Sequence, residues 1–186
     1  MRIMSHRLHL NPPGNEHKQT ISGVERDPFA GIVVGRTDVG WGVFAARPFT
    51  PGELVLTFRG PILKGEAGAA LADTVQIGKD EYVDPIPPVK FVNHHCDPNT
   101  GLKNKVELHA LRTIREGEEI RFDYSTCMGE NNWTMECRCG FSKCRHKIVD
   151  FVLLPAELQT HYLALGIVQP FLMDWISPQG STRPTR

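Results

Sequence analysis

The chain has 186 residues, of which 40% are apolar and 23% are charged, as in ordinary soluble globular domains. Its 21 basic residues balance 21 acidic ones, so whole-chain charge favours neither nucleic acid nor an acidic membrane as a partner. No apolar stretch is long enough to span a membrane, and the N-terminus lacks the apolar core of a signal peptide. We therefore expect a cytoplasmic or nuclear protein that is not secreted.

Short strands dominate the predicted elements, in chain order. Residues 1–28 are polar and are predicted to form an arm, after which GIVVGR, WGVFAA and ELVLTF are short β-branched or aromatic runs bounded by turn residues. Residues 64–73 favour a short helix, TVQIG and EYVDP a hairpin, and KVELHALRTI a strand. Residues 115–118 favour a turn and residues 119–122 a strand. The predicted fold class is mainly β with short helices.

The last forty residues favour helices. Pro155 suits a first helical turn, Leu158, Tyr162 and Leu165 share one face, and Gly166 is placed to end the helix. A second short helix is predicted from Pro170. We expect this extension, residues 147–178, to pack on the domain, with a dimer contact as the alternative, and residues 179–186 to be disordered. The protein is expected to be a monomer or a weak homodimer.

Three of the five cysteines form a C-x-C-x4-C cluster, at Cys137, Cys139 and Cys144. In a reducing compartment, closely spaced cysteines indicate a tetrahedral zinc site better than disulfides, and the alternative is a set of buried free thiols. Spacing alone leaves the fourth ligand open. The candidates are Cys96, Cys127, His94, His95 and His146.

Three further patterns each have a functional and a structural interpretation. Asn93 and His94 follow an apolar pair and could bind a ligand or form a polar loop. Tyr124 ends a strand and could lie at a pocket mouth or in the core. The glycines of Gly40-Trp41-Gly42 allow close approach of a ligand or a hairpin turn, and they do not match a dinucleotide-binding fingerprint.

Taken in order, these patterns are specific. The segments GWGVFAA, FVNHHCDPN, GEEIRFDY and CRCGFSKCR, within residues 30–146, together resemble the SET-domain protein-lysine methyltransferases with a post-SET zinc module. The resemblance implies small curved β-sheets around a pseudoknot, with the Asn93-His94 segment beside the Tyr124 segment. It also implies a SET domain at residues 29–127 and a post-SET zinc segment at residues 128–146.

The resemblance further implies roles for individual residues. Tyr124 becomes the active-site tyrosine, with Phe122 and Phe58 as aromatic walls of the lysine channel. The residues implied to bind S-adenosylmethionine, which leaves as S-adenosylhomocysteine, are Gly40, Trp41, Gly42, Lys90, Asn93, His94 and Tyr124. The residues implied to hold one structural zinc ion are Cys96, Cys137, Cys139 and Cys144, which leaves Cys127 free.

The implied activity is methyl transfer to a lysine side chain of a protein or peptide, with a histone tail as one candidate, and without direct binding of nucleic acid or a membrane. Phenylalanine at position 122 predicts di- or trimethylation. The chain departs from the family pattern at Phe58-Arg-Gly-Pro, where many members have Tyr-x-Gly-Glu, and in its short segment between Gly60 and Phe91. Two alternatives are therefore kept: an inactive SET-fold binding or scaffold protein, and a zinc-thiolate redox protein with Cys127 as the reactive thiol.

Overall fold

The computed structural model describes residues 2–3, 31–71, 73–129 and 133–176. The described part is mainly β, as predicted, with thirteen short strands and three α-helices. Most of the predicted arm and all of residues 179–186 lie outside the described residues. The strands are β1 (Arg2–Ile3), β2 (Ile32–Thr37), β3 (Gly40–Ala45), β4 (Leu54–Thr57), β5 (Ile62–Lys64), β6 (Val75–Gly78), β7 (Glu81–Val83), β8 (Asn93–His94), β9 (Thr100–Lys103), β10 (Glu107–Ala110), β11 (Glu119–Phe122), β12 (Trp133–Glu136) and β13 (Lys147–Val149). The helices are α1 (Gly65–Ala69), α2 (Ala156–Ala164) and α3 (Pro170–Ile176).

The strands form four small sheets, with the orders β2-β3-β11-β8, β4-β10-β9, β5-β7-β6 and β1-β12-β13. Strands β2 and β3 form the hairpin predicted from the glycines near position 40, with Thr37 paired with Gly40 across the turn. The φ angle of Gly40 is 119°, a conformation that side-chain-bearing residues rarely adopt, so glycine is required at this turn.

The sheet that organises the molecule brings together distant segments. Strand β11 pairs antiparallel with β3 on one side and parallel with β8 on the other. In the parallel pair, Arg121 lies opposite Asn93 and Phe122 opposite His94. The Asn93-His94 segment therefore lies beside the strand that leads into Tyr124, which is the neighbourhood that the resemblance implied.

The predicted hairpin of residues 74–85 is confirmed by the antiparallel pairing of β6 with β7. The predicted helix at residues 64–73 is confirmed but is shorter, because α1 covers only Gly65–Ala69. Its two glycines, Gly65 and Gly68, lower the helix propensity of this segment. Gly68 packs against the ring of Tyr82, where a Cβ atom would lie 2.4 Å from ring carbon Cδ2.

The predicted strand at residues 105–114 is partly confirmed. Only Glu107–Ala110 form strand β10, which pairs with both β4 and β9. Farther on, Ile114 makes an isolated bridge to Phe49. Strand β9 was not predicted, because its sequence TGLK has neither alternation nor a β-branched run.

The C-terminal helices are confirmed, and they pack on the domain. Tyr162 of α2 is buried, and Gly166, with a φ of 64°, follows the helix end. Ile167 packs against Gly101. A Cβ atom added at Gly101 would lie 2.3 Å from Cγ2 of Ile167. The extension has a small apolar core of its own, formed by Phe151, Leu154, Tyr162, Ile167 and Leu172.

The larger apolar core runs from Val43 to Ile148 and includes members of several sheets. The division of the chain into a SET domain that ends at residue 127 and a post-SET segment that ends at residue 146 remains a prediction. Within the described residues, no helix is long and apolar enough to cross a membrane.

Candidate functional site

Three aromatic rings, those of Phe58, Phe122 and Tyr124, form one cluster at the end of β11. The ring centres of Phe58 and Phe122 are 5.6 Å apart, and those of Phe122 and Tyr124 are 4.9 Å apart. Both phenylalanines are almost fully buried, whereas Tyr124 is half-buried. The structure therefore brings together the three side chains that the resemblance assigned to a lysine channel.

The hydroxyl of Tyr124 has a definite orientation. It donates a hydrogen bond of 2.7 Å to the carbonyl oxygen of Val92, in the residue before β8. The backbone N–H of Tyr124 donates to Nδ1 of His94 at 3.2 Å, and the two rings meet edge to face. Tyr124 is thus held at both its backbone and its hydroxyl by the segment that carries Asn93 and His94.

His94 is a buried histidine. Burial lowers its pKa to about 4, although Asp123, whose Oδ1 lies 3.5 Å from Nδ1, acts in the opposite direction. The imidazole is therefore neutral at neutral pH, which agrees with Nδ1 accepting the hydrogen bond from Tyr124.

Asn93 connects β8 to the glycine-flanked tryptophan. Its side-chain amide donates to the carbonyl of Trp41 at 3.0 Å and to Oε1 of Glu119 at 2.7 Å. Gly42 allows this approach, because a Cβ atom there would lie 2.8 Å from Oε1 of Glu119 and 3.2 Å from Nδ2 of Asn93. The backbone of residues 40–42 and the Asn93 side chain therefore form one continuous surface.

Two further groups border this surface. The guanidinium of Arg36 lies 3.9 Å from the centre of the Trp41 ring, on which it stacks. Lys90, three residues before Asn93, has its ammonium 3.4 Å from Oδ2 of Asp73 and is one-quarter exposed. Lys90 therefore has an acidic neighbour that the sequence pattern did not indicate.

Four cysteine sulfurs, those of Cys96, Cys137, Cys139 and Cys144, lie within 4.8 Å of one another. The Sγ of Cys137 is 3.6 Å from that of Cys96 and 3.5 Å from that of Cys144. Zinc–sulfur bonds of about 2.3 Å in a tetrahedron place the sulfurs about 3.8 Å apart. The thiol cluster therefore fits a tetrahedral metal ion, and among the described residues its fourth member is Cys96 and not a histidine.

Cys127 lies outside the thiol cluster. It is buried, and its thiol donates to the carbonyl oxygen of Tyr124 at 3.2 Å. Burial raises its pKa far above the ordinary thiol value, so it stays protonated and unreactive at neutral pH. This environment argues against Cys127 as the reactive thiol of a redox protein.

Asp123 is a site residue that the sequence analysis did not single out. It is fully buried between Phe122 and Tyr124, and its carboxylate contacts Arg145 and Tyr162. The only local signal was an acidic residue between two aromatic residues at a strand end. The sequence around its partners, Arg145 and Tyr162, has no pattern that indicates a contact with Asp123.

The site as a whole combines a backbone surface at residues 40–42, a neutral histidine, a hydrogen-bonded phenol and a water-poor aromatic cluster. These features suit the binding of an uncharged nucleophile next to a polar ligand.

A family comparison identifies one segment of the chain. Residues 40–125 match the SET domain family model, and this segment includes Trp41, Asn93, His94 and Tyr124. The match covers 86 of the 186 residues, so this segment resembles SET domains, and the mainly β fold class is the one expected from the resemblance.

Several similar proteins are named as histone-lysine N-methyltransferases. The chain is similar to histone-lysine N-methyltransferase EHMT1 of Homo sapiens, with 28% identity over 135 residues, covering 59% of this chain and 10% of that protein. It is 26% identical to histone-lysine N-methyltransferase ash1 of Drosophila melanogaster over 136 residues, covering 58% of this chain and 6% of that protein. It is also 26% identical over 170 residues to the H3 lysine-9 specific KMT1 of Fusarium mangiferae, covering 66% of this chain and 49% of that protein.

Among solved structures, a humanized mutant of the Chaetomium thermophilum Polycomb Repressive Complex 2 bound to the inhibitor GSK126 aligns with a TM-score of 0.47 and 23% identity. The alignment covers 53% of this chain and 15% of that chain. The present chain thus spans only a small part of the length of EHMT1, ash1 and this complex subunit.

Proposed function

We propose that the protein is an S-adenosylmethionine-dependent protein-lysine N-methyltransferase. The observation that carries this proposal is the convergence at strand β11: Asn93 bonds to Trp41, and Tyr124 bonds to Val92 beside the rings of Phe122 and Phe58. One side of this arrangement suits a polar cofactor, and the other suits an alkyl amine. The family match over residues 40–125 and the names of the relatives support the same activity.

The cofactor side consists of the backbone of Gly40, Trp41 and Gly42 with the polar groups of Asn93 and His94. When bound there, S-adenosylmethionine supplies an electrophilic methyl group. The residues fit such a ligand, since Gly42 has no side chain to obstruct it and Asn93 is already held against Trp41. Lys90 would provide a positive charge for the carboxylate of the cofactor in exchange for its contact with Asp73.

The aromatic side prepares the lysine amine. Only about one lysine in 2,500 is uncharged at pH 7, given a pKa of about 10.4, which corresponds to about 4.6 kcal/mol. Phe58 and Phe122, with exposed fractions of 4% and 2%, exclude water and disfavour the ammonium form. The two aromatic side chains therefore reduce the free energy needed to deprotonate the lysine, which leaves its nitrogen nucleophilic.

Tyr124 orients the reacting groups rather than removing a proton. Its hydroxyl donates a hydrogen bond to Val92, and a phenolic oxygen can also accept a hydrogen bond from an amine. Alignment within a closed, water-poor site supplies much of the rate enhancement expected for a displacement of this kind. Proton loss from the amine to solvent precedes transfer in this scheme.

A structural zinc ion is proposed for the thiol cluster. Four thiolates complete a zinc tetrahedron and leave no open position, so the ion would brace the fold and take no part in the reaction. Because Cys96 follows His94 by two residues, the cluster would tie the segment of residues 137–144 to one wall of the site.

The substrate is proposed to be a lysine-containing protein, with histone tails as the first class to test, because the relatives are named for histone lysines. This choice favours a nuclear location over a cytoplasmic one. Di- or trimethylation, the absence of direct nucleic-acid binding and a monomeric or weakly dimeric state remain predictions.

The test is transfer of labelled methyl groups from S-adenosylmethionine to histones and lysine-rich peptide pools. We expect transfer that disappears when the target lysine is replaced with arginine, and that falls about 100-fold or more in a Tyr124→Phe variant. Tyr82→Phe, which changes a buried tyrosine in β7, is the matched control and should retain activity.

The scaffold alternative has one supporting observation, the absence of a hydroxyl at Phe58. Binding of S-adenosylhomocysteine without transfer to any pool would favour it over the enzyme. Absence of both binding and transfer would contradict both functions.

A further inference from the structure

The carboxylate of Asp123 is the centre of a buried polar network. Its side chain has no exposed surface. Nη2 of Arg145 lies 2.8 Å from Oδ1 and 2.7 Å from Oδ2, and the hydroxyl of Tyr162 donates to Oδ2 at 2.7 Å. The backbone N–H of Ser125 donates to Oδ1 at 3.0 Å. A buried carboxylate needs such partners, because desolvation is costly for an unpaired charge.

The network lies directly behind the active-site tyrosine. Asp123 precedes Tyr124, and its bond to Ser125 closes the turn that contains Tyr124. Oδ1 also lies 3.5 Å from Nδ1 of His94, the atom that accepts from the Tyr124 backbone. Asp123 therefore holds the turn by a hydrogen bond and packs against the histidine that the turn contacts.

The two side chains that hold Asp123 come from later parts of the chain. Arg145 follows the last cysteine of the thiol cluster, and its backbone N–H lies 3.5 Å from the Sγ of Cys96. Tyr162 belongs to helix α2 of the extension. Burial and the neighbouring Asp123 raise the pKa of Tyr162, so its hydroxyl keeps the proton that it donates.

The same extension holds the residues that follow Tyr124. The backbone N–H of Gln169 donates to the carbonyl of Thr126 at 3.0 Å, and that of Phe151 donates to the carbonyl of Met128 at 3.0 Å. The extension therefore contacts residues 123–128 through backbone hydrogen bonds and through the side chain of Tyr162.

We propose that Arg145 and Tyr162 are positioning residues that act through Asp123 to fix Tyr124 and His94 in their working orientation. The extension is then part of the catalytic apparatus, although it lies beyond the matched SET domain. This inference rests on the proposed methyl transfer. A purely stabilising role would lower kcat equally in any variant with the same loss of stability. A positioning role predicts that a variant of this network lowers kcat more than such a control variant does.

The decisive variant is Tyr162→Phe, which removes one hydroxyl and keeps the buried ring. We expect kcat to fall about tenfold, with the KM for S-adenosylmethionine changed less than about twofold. Ile167→Val, a buried substitution in the same extension whose side chain packs against Gly101, is the control for lost stability and should retain kcat. An unchanged kcat in Tyr162→Phe, or an equal fall in both variants, would overturn the proposal.

Nuclear magnetic resonance tests the same idea without turnover. The chain has three tyrosines, Tyr82, Tyr124 and Tyr162. In Tyr162→Phe with labelled tyrosine rings, we expect the Tyr124 resonances to shift or broaden while those of Tyr82 stay in place. Unchanged Tyr124 resonances would overturn the proposal. If the unmodified protein transfers no methyl group, the proposed function fails, and this measurement still decides whether the network positions Tyr124.

If Tyr162→Phe does not fold, a second pair of variants replaces it. Arg145→Lys keeps a positive charge beside Asp123, whereas Arg145→Met removes it. We expect kcat to decrease in the order unmodified protein, Arg145→Lys, Arg145→Met, in preparations with equal zinc content. Equal kcat in all three would contradict the proposal.

Discussion

The side-chain amide of Asn93 donates a hydrogen bond of 3.0 Å to the carbonyl oxygen of Trp41, which joins residues far apart in sequence at one point of the site. The same amide bonds to Glu119, so Asn93 links β3, β8 and β11. This link connects the proposed cofactor surface to the strand that leads into Tyr124.

Gly42→Ala should weaken cofactor binding. The added Cβ atom would lie 2.6 Å from Cγ2 of Thr37 and 2.8 Å from Oε1 of Glu119, so the Glu119–Asn93–Trp41 contacts have to shift. We expect the affinity for S-adenosylhomocysteine, measured by calorimetry, to fall about tenfold or more, or about 1.4 kcal/mol. Gly78→Ala in β6 meets only the flexible Glu81 side chain and should bind normally. Equal affinity in both variants would contradict the assigned surface.

Phe122→Tyr should change the product. A tyrosine hydroxyl inside the aromatic cluster can hold a water molecule in the space of a further methyl group, whereas Phe122 cannot. We expect mass spectrometry to show a shift from di- or trimethyl-lysine towards monomethyl-lysine. Phe171→Tyr, which lies in α3 away from the cluster, should leave the product distribution unchanged. The same distribution in both variants would reject this role for Phe122.

Cys144→Ser should abolish stoichiometric zinc binding. One thiolate of the cluster is lost, and the remaining three leave the tetrahedron incomplete. We expect elemental analysis to show one zinc per unmodified chain and a small fraction of that in the variant, with a lower Tm and less activity. Cys127→Ser changes the cysteine outside the cluster and should keep its zinc. Loss of zinc from Cys127→Ser alone would refute the assignment.

Glu118→Gln should lower stability near neutral pH but not in strong acid. Burial acts to raise the pKa of Glu118, but hydrogen bonds from Arg112, the Arg115 backbone and Asn99 outweigh it and lower the pKa to about 2. The stabilisation is therefore present above the ordinary carboxyl pKa of about 4.5 and is lost as the pH falls from 4.5 towards 2.

We expect the free energy of unfolding of Glu118→Gln at pH 7 to be about 1–2 kcal/mol lower than in the unmodified protein. The two proteins should converge only when the pH has fallen to about 2. The exposed neighbour Glu116 provides the control, since Glu116→Gln should change little at either pH. A constant difference between Glu118→Gln and the unmodified protein across this range would contradict the pKa assignment.

The local parts of the fold were predictable from sequence. The hairpins β2–β3 and β6–β7 and helices α2 and α3 were predicted because alternation, glycine position and helix ends are local signals. Strand β9 was missed because TGLK has no alternation, although it pairs with the neighbouring strand β10. Strand β12 was missed because one of its partners, β1, lies far away in sequence.

The site was predicted through the order of its motifs rather than through any single residue. Spacing left five candidates for the fourth ligand of the cysteine cluster, and the resemblance selected Cys96, which the structure groups with the other three. Nothing local indicated that Tyr162 contacts Asp123, because a tyrosine on an apolar helix face has the same pattern with or without a buried partner. Contacts of this kind depend on how the C-terminal extension packs against the rest of the domain.

The bond between Tyr162 and Asp123 also has a consequence for synthesis on the ribosome. Because Tyr162 is translated 39 residues after Asp123, a nascent chain that already contains the whole matched domain still lacks one side-chain donor for a carboxylate destined for burial. Emergence of helix α2 from the exit tunnel is therefore the step after which the catalytic centre can assume its final arrangement.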